Sequence, residues 1–339
     1  MFRAGRLVVG FLGACLLFSS PCWAAHRALI APQTASVLYV DIVRGSDEYI
    51  CTTPAKPCAT IQAAVDRIPA VLAVDVTVHI APGVYAEGVV IAGRISPHRV
   101  SVRLHGMPGA VLDGESTIRT GFLVDGVSGV VVESLLIRNF AGSGIQVRNS
   151  DPATIRSCVV QGNGEDGIHM TRATVRIEET MIGANGRNGV VCDRGELVLS
   201  SESGDGVTLV SNAGSGLQAI GCRVEVAGKT MIFDNGGGFE ALNAGAIALN
   251  ARSDVVFARN RQFDMMATCA GMIDTWQAAQ CASDCSCGGT GMEGDETLQG
   301  GVTGAHEMIS LSGLAPQGSC FCPRACGCTE EHFGICHQP

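Results

Sequence analysis

Val159-Val-Gln-Gly-Asn163-Gly-Glu-Asp-Gly167-Ile-His-Met170 and Met181-Ile-Gly-Ala-Asn185-Gly-Arg-Asn-Gly189-Val-Val-Cys192 are one phrase written twice, 22 residues apart. Its kernel, an apolar residue, two spacers and an asparagine, recurs as Leu136…Asn139, Val160…Asn163, Ile182…Asn185, Leu209…Asn212, Ile232…Asn235 and Phe257…Asn260. Successive asparagines stand 24, 22, 27, 23 and 25 residues apart. Each of the first five is followed by a glycine and an apolar residue: Gly144-Ile145, Gly167-Ile168, Gly189-Val190, Gly216-Leu217 and Gly238-Phe239. A period of this length marks a solenoid, in which each repeat buries its apolar face only by stacking on its neighbours.

The solenoid is built of strands. After each glycine the apolar residues alternate, as in Ile145/Val147, Ile168/Met170, Val190/Cys192, Leu217/Ala219 and Phe239/Ala241. A period of two puts one face of a strand in the core. Further short runs follow in each repeat, such as Val175/Ile177, Leu197/Leu199 and Val224/Val226. Two or three strands per turn, punctuated by Gly and Asn, stack in parallel on the next turn. Asparagine tolerates left-handed corners, and stacked on itself it passes side-chain hydrogen bonds along the axis. The expected ladder comprises Asn139, Asn163, Asn185, Asn212, Asn235 and Asn260. A leucine-rich solenoid needs several leucines per repeat, and these turns have too few.

The chain opens with Arg3 and Arg6, an apolar run over Leu7–Phe18 and the small-residue site Cys22-Trp-Ala24. This reads as a secretory signal over residues 1–24. A competing lipoprotein-like box, Leu12-Gly-Ala-Cys15, would anchor the chain at Cys15, but the apolar run continues past it. No other stretch approaches the ~20 apolar residues of a membrane span. Of sixteen cysteines, fourteen remain once Cys15 and Cys22 leave with the signal, and an even, high count in an exported chain reads as disulfides. Cys51 and Cys58 bracket a small loop and are expected to pair. The formal net charge of −9 leaves no basic footprint for nucleic acid.

Ala59–Ile68 carries apolar residues at helical spacing before Pro69, which predicts a short helix capping the first coil. Beyond Met266 the repeat stops. Cys281, Cys285, Cys287, Cys320, Cys322, Cys326, Cys328 and Cys336 punctuate a Gly-rich stretch, with Cys269 just upstream. Eight cysteines admit 105 pairings, so partners stay open. The rival is a thiolate metal cluster aided by His332 and His337; export favours disulfides, and no metal is assigned.

Tyr39-Val-Asp41, Ala59-Thr-Ile-Gln-Ala-Ala-Val65, Ala81-Pro-Gly-Val-Tyr85-x-Glu87 and Leu112-Asp-Gly114, followed by the Asn/Gly coils, resemble secreted right-handed parallel β-helix proteins of the pectin-lyase-like superfamily. The opening is also similar to pectin methylesterases. Ala244-Gly-Ala-Ile247 with Phe257-Ala-Arg-Asn260 resembles, more faintly, the repeats of polymorphic outer-membrane proteins. The resemblance spans about Tyr39 to Phe263 and implies an all-β fold, a right-handed parallel β-helix, placed here over 25–265 with its N-terminal cap over approximately 36–92; the cysteine pattern beyond it reads as a disulfide-rich module over 266–339. It implies no single activity, since this superfold hosts lyases, hydrolases, epimerases, esterases and adhesins.

Candidate chemistry lies on the strand after each glycine. Residues between the buried ones form two outward rows: Gln146, His169, Val191, Gln218, Glu240, and Arg148, Thr171, Asp193, Ile220, Leu242. Neighbours in a row stand about 4.8 Å apart, so Arg148, His169 and Asp193 are expected to approach one another, with Glu165, Asp166 and Arg194 at adjoining corners. Against catalysis, no Asp-Asp pair occurs for glycoside hydrolysis. The Gln-Asp and Asp-x-Ile-Phe-Gly signatures of pectin methylesterases are missing. An alginate-type epimerase would show Asp-Pro-His-Asp, but Asp151-Pro152 leads into Ala153-Thr154. A calcium-assisted lyase would need Asp166, Asp193 and Asp205 as ligands and Arg148 or Arg194 as base; calcium enters only under that alternative. Aromatics are only 5% of residues, which leaves few platforms for sugar rings. The preferred expectation is a secreted or cell-surface interaction protein without catalysis, adhesive or polysaccharide-associated, whose partner is an extracellular polysaccharide or a surface protein. The alternative is a carbohydrate-active enzyme on an acidic polysaccharide, a lyase ahead of a hydrolase or epimerase, working across Arg148, His169 and Asp193; the candidate ligand-binding or catalytic face comprises Arg148, Asp166, His169, Asp193, Arg194 and Glu240.

Overall fold

The computed structural model describes residues 37–94, 100–201, 204–250, 253–268 and 270–274, with the backbone of short strands at 309–310, 319–321 and 335–337. The signal segment over 1–24 with Cys15, Cys269, and the side chains of the cysteine cluster between 281 and 336 lie outside the described residues.

Each coil contributes one strand to each of three sheets, which we number in the order the chain visits them. The first sheet begins with Val37–Val40, Val76–Ile80 and Val102–Gly106 and continues through Val130–Glu133, Ala153–Arg156, Thr174–Glu178 and Glu196–Ser200. The second runs from Gly83–Tyr85 to Asp254–Ala258 and the third from Val89–Ala92 to Met265–Thr268. Neighbouring strands within residues 37–274 pair in parallel, as in Ile145↔Ile168, Val159↔Leu136 and Ala153↔Val175. The alternation read after each glycine is the inside–outside alternation of the third sheet: Ile145, Val147, Ile168, Met170, Val190 and Cys192 all point into one continuous apolar core. Phe239 and Phe257 meet edge to face there, with centroids 5.1 Å apart.

A six-residue helix, Ile61–Asp66, lies in the expected 59–68 stretch and buries Ile61, Ala64 and Val65. Thr60 Oγ1 accepts from the Ala63 N–H at 3.1 Å. The Glu87 carboxylate accepts from the Ile61 and Gln62 N–H groups at 2.7 and 2.9 Å, so two donors orphaned at the helix start are satisfied from the next coil.

Asparagines stack at the corner between the second and third sheets. Asn163 Nδ2 donates to Asn185 Oδ1 at 2.9 Å, Asn185 Nδ2 to Asn212 Oδ1 at 2.8 Å, and Asn212 Nδ2 to Asn235 Oδ1 at 2.9 Å. Asn235 Nδ2 reaches Asn260 Oδ1 at 3.2 Å. Asn139 is not part of this column. Ile137, not Leu136, pairs with Val160, so the ladder position in that coil belongs to Phe140, whose N–H donates to Asn163 Oδ1 at 3.1 Å. Asn139 falls in the preceding column of left-handed residues, with φ of 58°, alongside Gly162, Ala184, Ser211, Asp234 and Arg259. Its side chain turns to Asp113 instead, at 3.2 Å. The phenyl ring of Phe140 ends the ladder, and Gly121 makes room for it: a Cβ there would stand 2.8 Å from the ring.

Two disulfides are present among the described residues. Cys51 and Cys58 close the short loop ahead of the helix, and Cys192 pairs with Cys222 across neighbouring coils, Cα atoms 5.9 Å apart. Cys158 is a free, buried thiol.

Candidate functional site

On the third sheet the register places Gln146 beside His169, His169 beside Val191, Val191 beside Gln218, and Gln218 beside Glu240. Arg148, Thr171 and Asp193 form the second row. The polar members are tied to near neighbours. Asp166 is buried at the corner; its Oδ1 accepts from the Asn188 backbone at 3.1 Å, and its Oδ2 lies 2.9 Å from His169 Nδ1. A carboxylate only accepts, so Nδ1 carries the proton and Nε2 is left free to accept. Arg194 grips Asp193 through two bonds of 2.9 Å and holds its carboxyl below the usual range, chiefly through those hydrogen bonds. Glu240 accepts from Ser215 Oγ at 2.8 Å and Gln218 Nε2 at 2.7 Å. Arg148 donates to Gln146 at 2.7 Å.

Among the described residues no hydrogen bond or ion pair joins Arg148, His169 and Asp193 to one another. Arg148 and Asp193 are two strand spacings apart in their row, about 10 Å, with Thr171 between them. Val191, an outward residue, is only 3% exposed and divides His169 from Gln218 and Glu240.

A second cluster lies on the first sheet. One outward row runs Tyr39, His79, His105, Glu133, Arg156, Glu178 in consecutive strands. Arg103 and Arg176 stand in the adjacent row. Glu133 is its centre. The side chain is 8% exposed, and its two oxygens receive Arg103 at 3.1 Å, His105 Nδ1 at 2.9 Å and the guanidinium of Arg156. Burial alone would raise its pKa; the hydrogen bonds from Arg156 and Arg103 outweigh it and hold the carboxyl below the ordinary glutamate value. Arg176 reaches Ser200 Oγ at 3.3 Å, with Glu178 at 3.7 Å.

Towards the start of the row the character changes to aromatic. Tyr39 stacks on His79 with centroids 5.7 Å apart, and His79 meets His105 edge-on at 5.6 Å. Burial, then the neighbouring His105, lowers the pKa of His79 despite an opposing pull from Glu133. This cluster carries no motif, since Arg103, His105, Glu133 and Arg156 are spread over 54 positions of the chain. The signal that finds it is the stacking register, which the Gly-apolar pairs mark only for the third sheet.

Residues 120–274 match the family model for a right handed beta helix region. The chain is a right-handed parallel β-helix. Similar solved structures include a rhamnogalacturonan lyase, 12% identical over 70% of this chain and 75% of that one, with a TM-score of 0.42. The pectate lyase Pel9A is 13% identical over 64% of this chain and 69% of its own length, TM-score 0.40. Pectin methylesterase PemA from Erwinia chrysanthemi is 12% identical over 68% and 82%, TM-score 0.30. No curated protein matches the sequence at a significant level. At these identities the likeness is one of fold, and no residue of the lyases or the esterase assigns a role here.

Proposed function

We propose that this β-helix is an exported protein that binds an acidic polysaccharide without turning it over, and that the first-sheet row is its binding face. One observation carries the reading: two guanidinium groups, Arg103 and Arg156, converge on the single carboxylate of Glu133. Arg156 also feels Glu178 and Glu179, so the two guanidinium groups stand among carboxylates on a chain whose formal net charge is −9. Each guanidinium has five N–H donors and spends only one or two on Glu133. The remainder can fork onto carboxylates or sulfates of a polymer laid across consecutive strands. The two disulfides and the N-terminal signal pattern support export. The way Glu133 is held supports binding without turnover: its charge is spent on two arginines, which makes it a poor proton acceptor.

Titration of the protein with pectate, alginate and a glycosaminoglycan tests this. At least one should bind in a salt-sensitive manner, and Arg103→Gln or Arg156→Gln should each weaken binding about tenfold, as losing a charge-assisted contact would. Wild-type affinity in both variants would sink the proposal.

The lyase or hydrolase alternative keeps one observation in its favour, the Asp166–His169 pair with its free Nε2, an arrangement suited to a general base. If it were catalytic, unsaturated or reducing-end products would accumulate with wild type and fall by ~10²–10⁴-fold in His169→Ala.

A further inference from the structure

A cavity of about 270 Å³ lies where the first-sheet row begins. Tyr39 and His79 line it from the row, Pro54 and Pro57 from the disulfide-closed loop, and Met107 and Arg44 from flanking turns. The loop closes off the outer edge of the first strand: Tyr39 N–H donates to the Cys51 carbonyl and Cys58 N–H to the Tyr39 carbonyl, each at 2.8 Å. The row is therefore open towards Arg156 and walled at Tyr39.

We infer that this cavity takes the terminal sugar ring of the acidic chain, so that the protein recognises a polysaccharide end and not an internal stretch; this rests on the acidic-polysaccharide reading of the row. The cavity is close to the ~300 Å³ where small-molecule pockets begin, a size that suits a single ring. Its walls are mostly apolar, with the Asp41 carboxylate, paired to Arg44, among them. The Tyr39–His79 stack, two proline rings and the Met107 thioether present the kind of surface on which the C–H face of a sugar packs. One polar clamp sits at the rim. Arg44 is held by Asp41 through two bonds of 2.7 Å, which fixes the guanidinium while its side chain stays 71% exposed. Its remaining N–H groups are free for a ring carboxylate or hydroxyl. A chain seated there continues past His105 onto Arg103 and Arg156, with Pro54 and Pro57 at its other end.

The test uses the full chain, trigalacturonic acid, methyl galacturonoside, and pectate hydrolysed to graded lengths at equal total mass. Binding is followed by calorimetry in wild type, in Met107→Trp, which fills the cavity, and in Arg103→Gln. For wild type, the amount of protein bound per mass of pectate should rise in proportion to the number of chain ends, and Met107→Trp should weaken the trisaccharide at least tenfold. Circular dichroism confirms that the variant is folded. Should stoichiometry follow total length and Met107→Trp bind like wild type, the end-recognition inference falls while the row reading stands. If Arg103→Gln binds like wild type but Met107→Trp does not, the row reading falls and the cavity stands. No binding of any probe by wild type overturns both.

Discussion

The side-chain amide of Asn185 donates to Oδ1 of Asn212 at 2.8 Å, and the backbone N–H of Asn185 reaches the same oxygen at 3.2 Å. Each rung of the ladder thus satisfies two donors with one buried acceptor, in a place water does not reach.

Removing the Asn185 side chain leaves the backbone N–H and side-chain amide of Asn163 without their acceptor. Asn185→Ala should destabilise by about 1–3 kcal/mol, the usual penalty for buried polar groups that lose a partner. Asn139→Gly is the contrast: it sits at φ 58°, where glycine fits, and its side chain bonds only to Asp113. It should cost less than about 1 kcal/mol. Denaturant midpoints of the two variants decide this; equal losses would mean the column is not the stabilising element.

The contrast also marks how far sequence carries. Asn163, Asn185, Asn212, Asn235 and Asn260 share a phase with the apolar residue three before, and that phase is structural. In the first repeat both Leu136 and Ile137 are apolar, so the phase can slip by one, and only the pairing of Ile137 with Val160 resolves it. The third-sheet rows were legible because a Gly-apolar pair anchors each strand. The Glu133 cluster was not, because strand starts on the first sheet carry no such mark and coil lengths vary by several residues. Pairing of Cys192 with Cys222 was hidden similarly: 30 residues separate them, and only stacking brings them together.

The cysteines make a second prediction. Intact mass of the purified protein should show Cys51–Cys58 and Cys192–Cys222 oxidised, and Cys158 as a thiol that resists alkylation until the chain unfolds. Burial pushes the Cys158 thiol up to about 12, so almost no thiolate exists at neutral pH. Rapid native alkylation of Cys158 would contradict the buried placement.

Acid should weaken the fold in a defined window. Glu133 and Asp113 are both held below their ordinary values, in each case because hydrogen bonds outweigh burial. A lowered carboxyl stabilises fully above its unfolded value, near pH 4, and loses that contribution as pH falls through its folded value. Glu87 works in the opposite sense, since burial raises it. Glu133→Gln should cost about 1–3 kcal/mol at pH 7, discounted because its arginine partners are part-exposed. The gap to wild type in melting temperature should narrow between about pH 5 and 3. A gap independent of pH would mean the Glu133 charge contributes nothing.

Asp166 and His169 should separate structure from chemistry. Asp166→Ala removes the acceptor of both the Asn188 backbone and its side-chain amide, so it should destabilise by about 1–3 kcal/mol. His169→Ala vacates only a half-exposed position and should fold as wild type, within about 0.5 kcal/mol. Thermal unfolding of both variants reads this directly, and a larger loss in His169→Ala would reverse the assignment.

The central claim, binding of an acidic polysaccharide without turnover, is tested most directly by size-exclusion chromatography with light scattering of the protein incubated with pectate, alginate and a glycosaminoglycan. One polymer should co-elute with the protein at low salt, dissociate at high salt and keep its chain length after prolonged incubation. Shortening of the polymer, or no co-elution with any of the three, would contradict it.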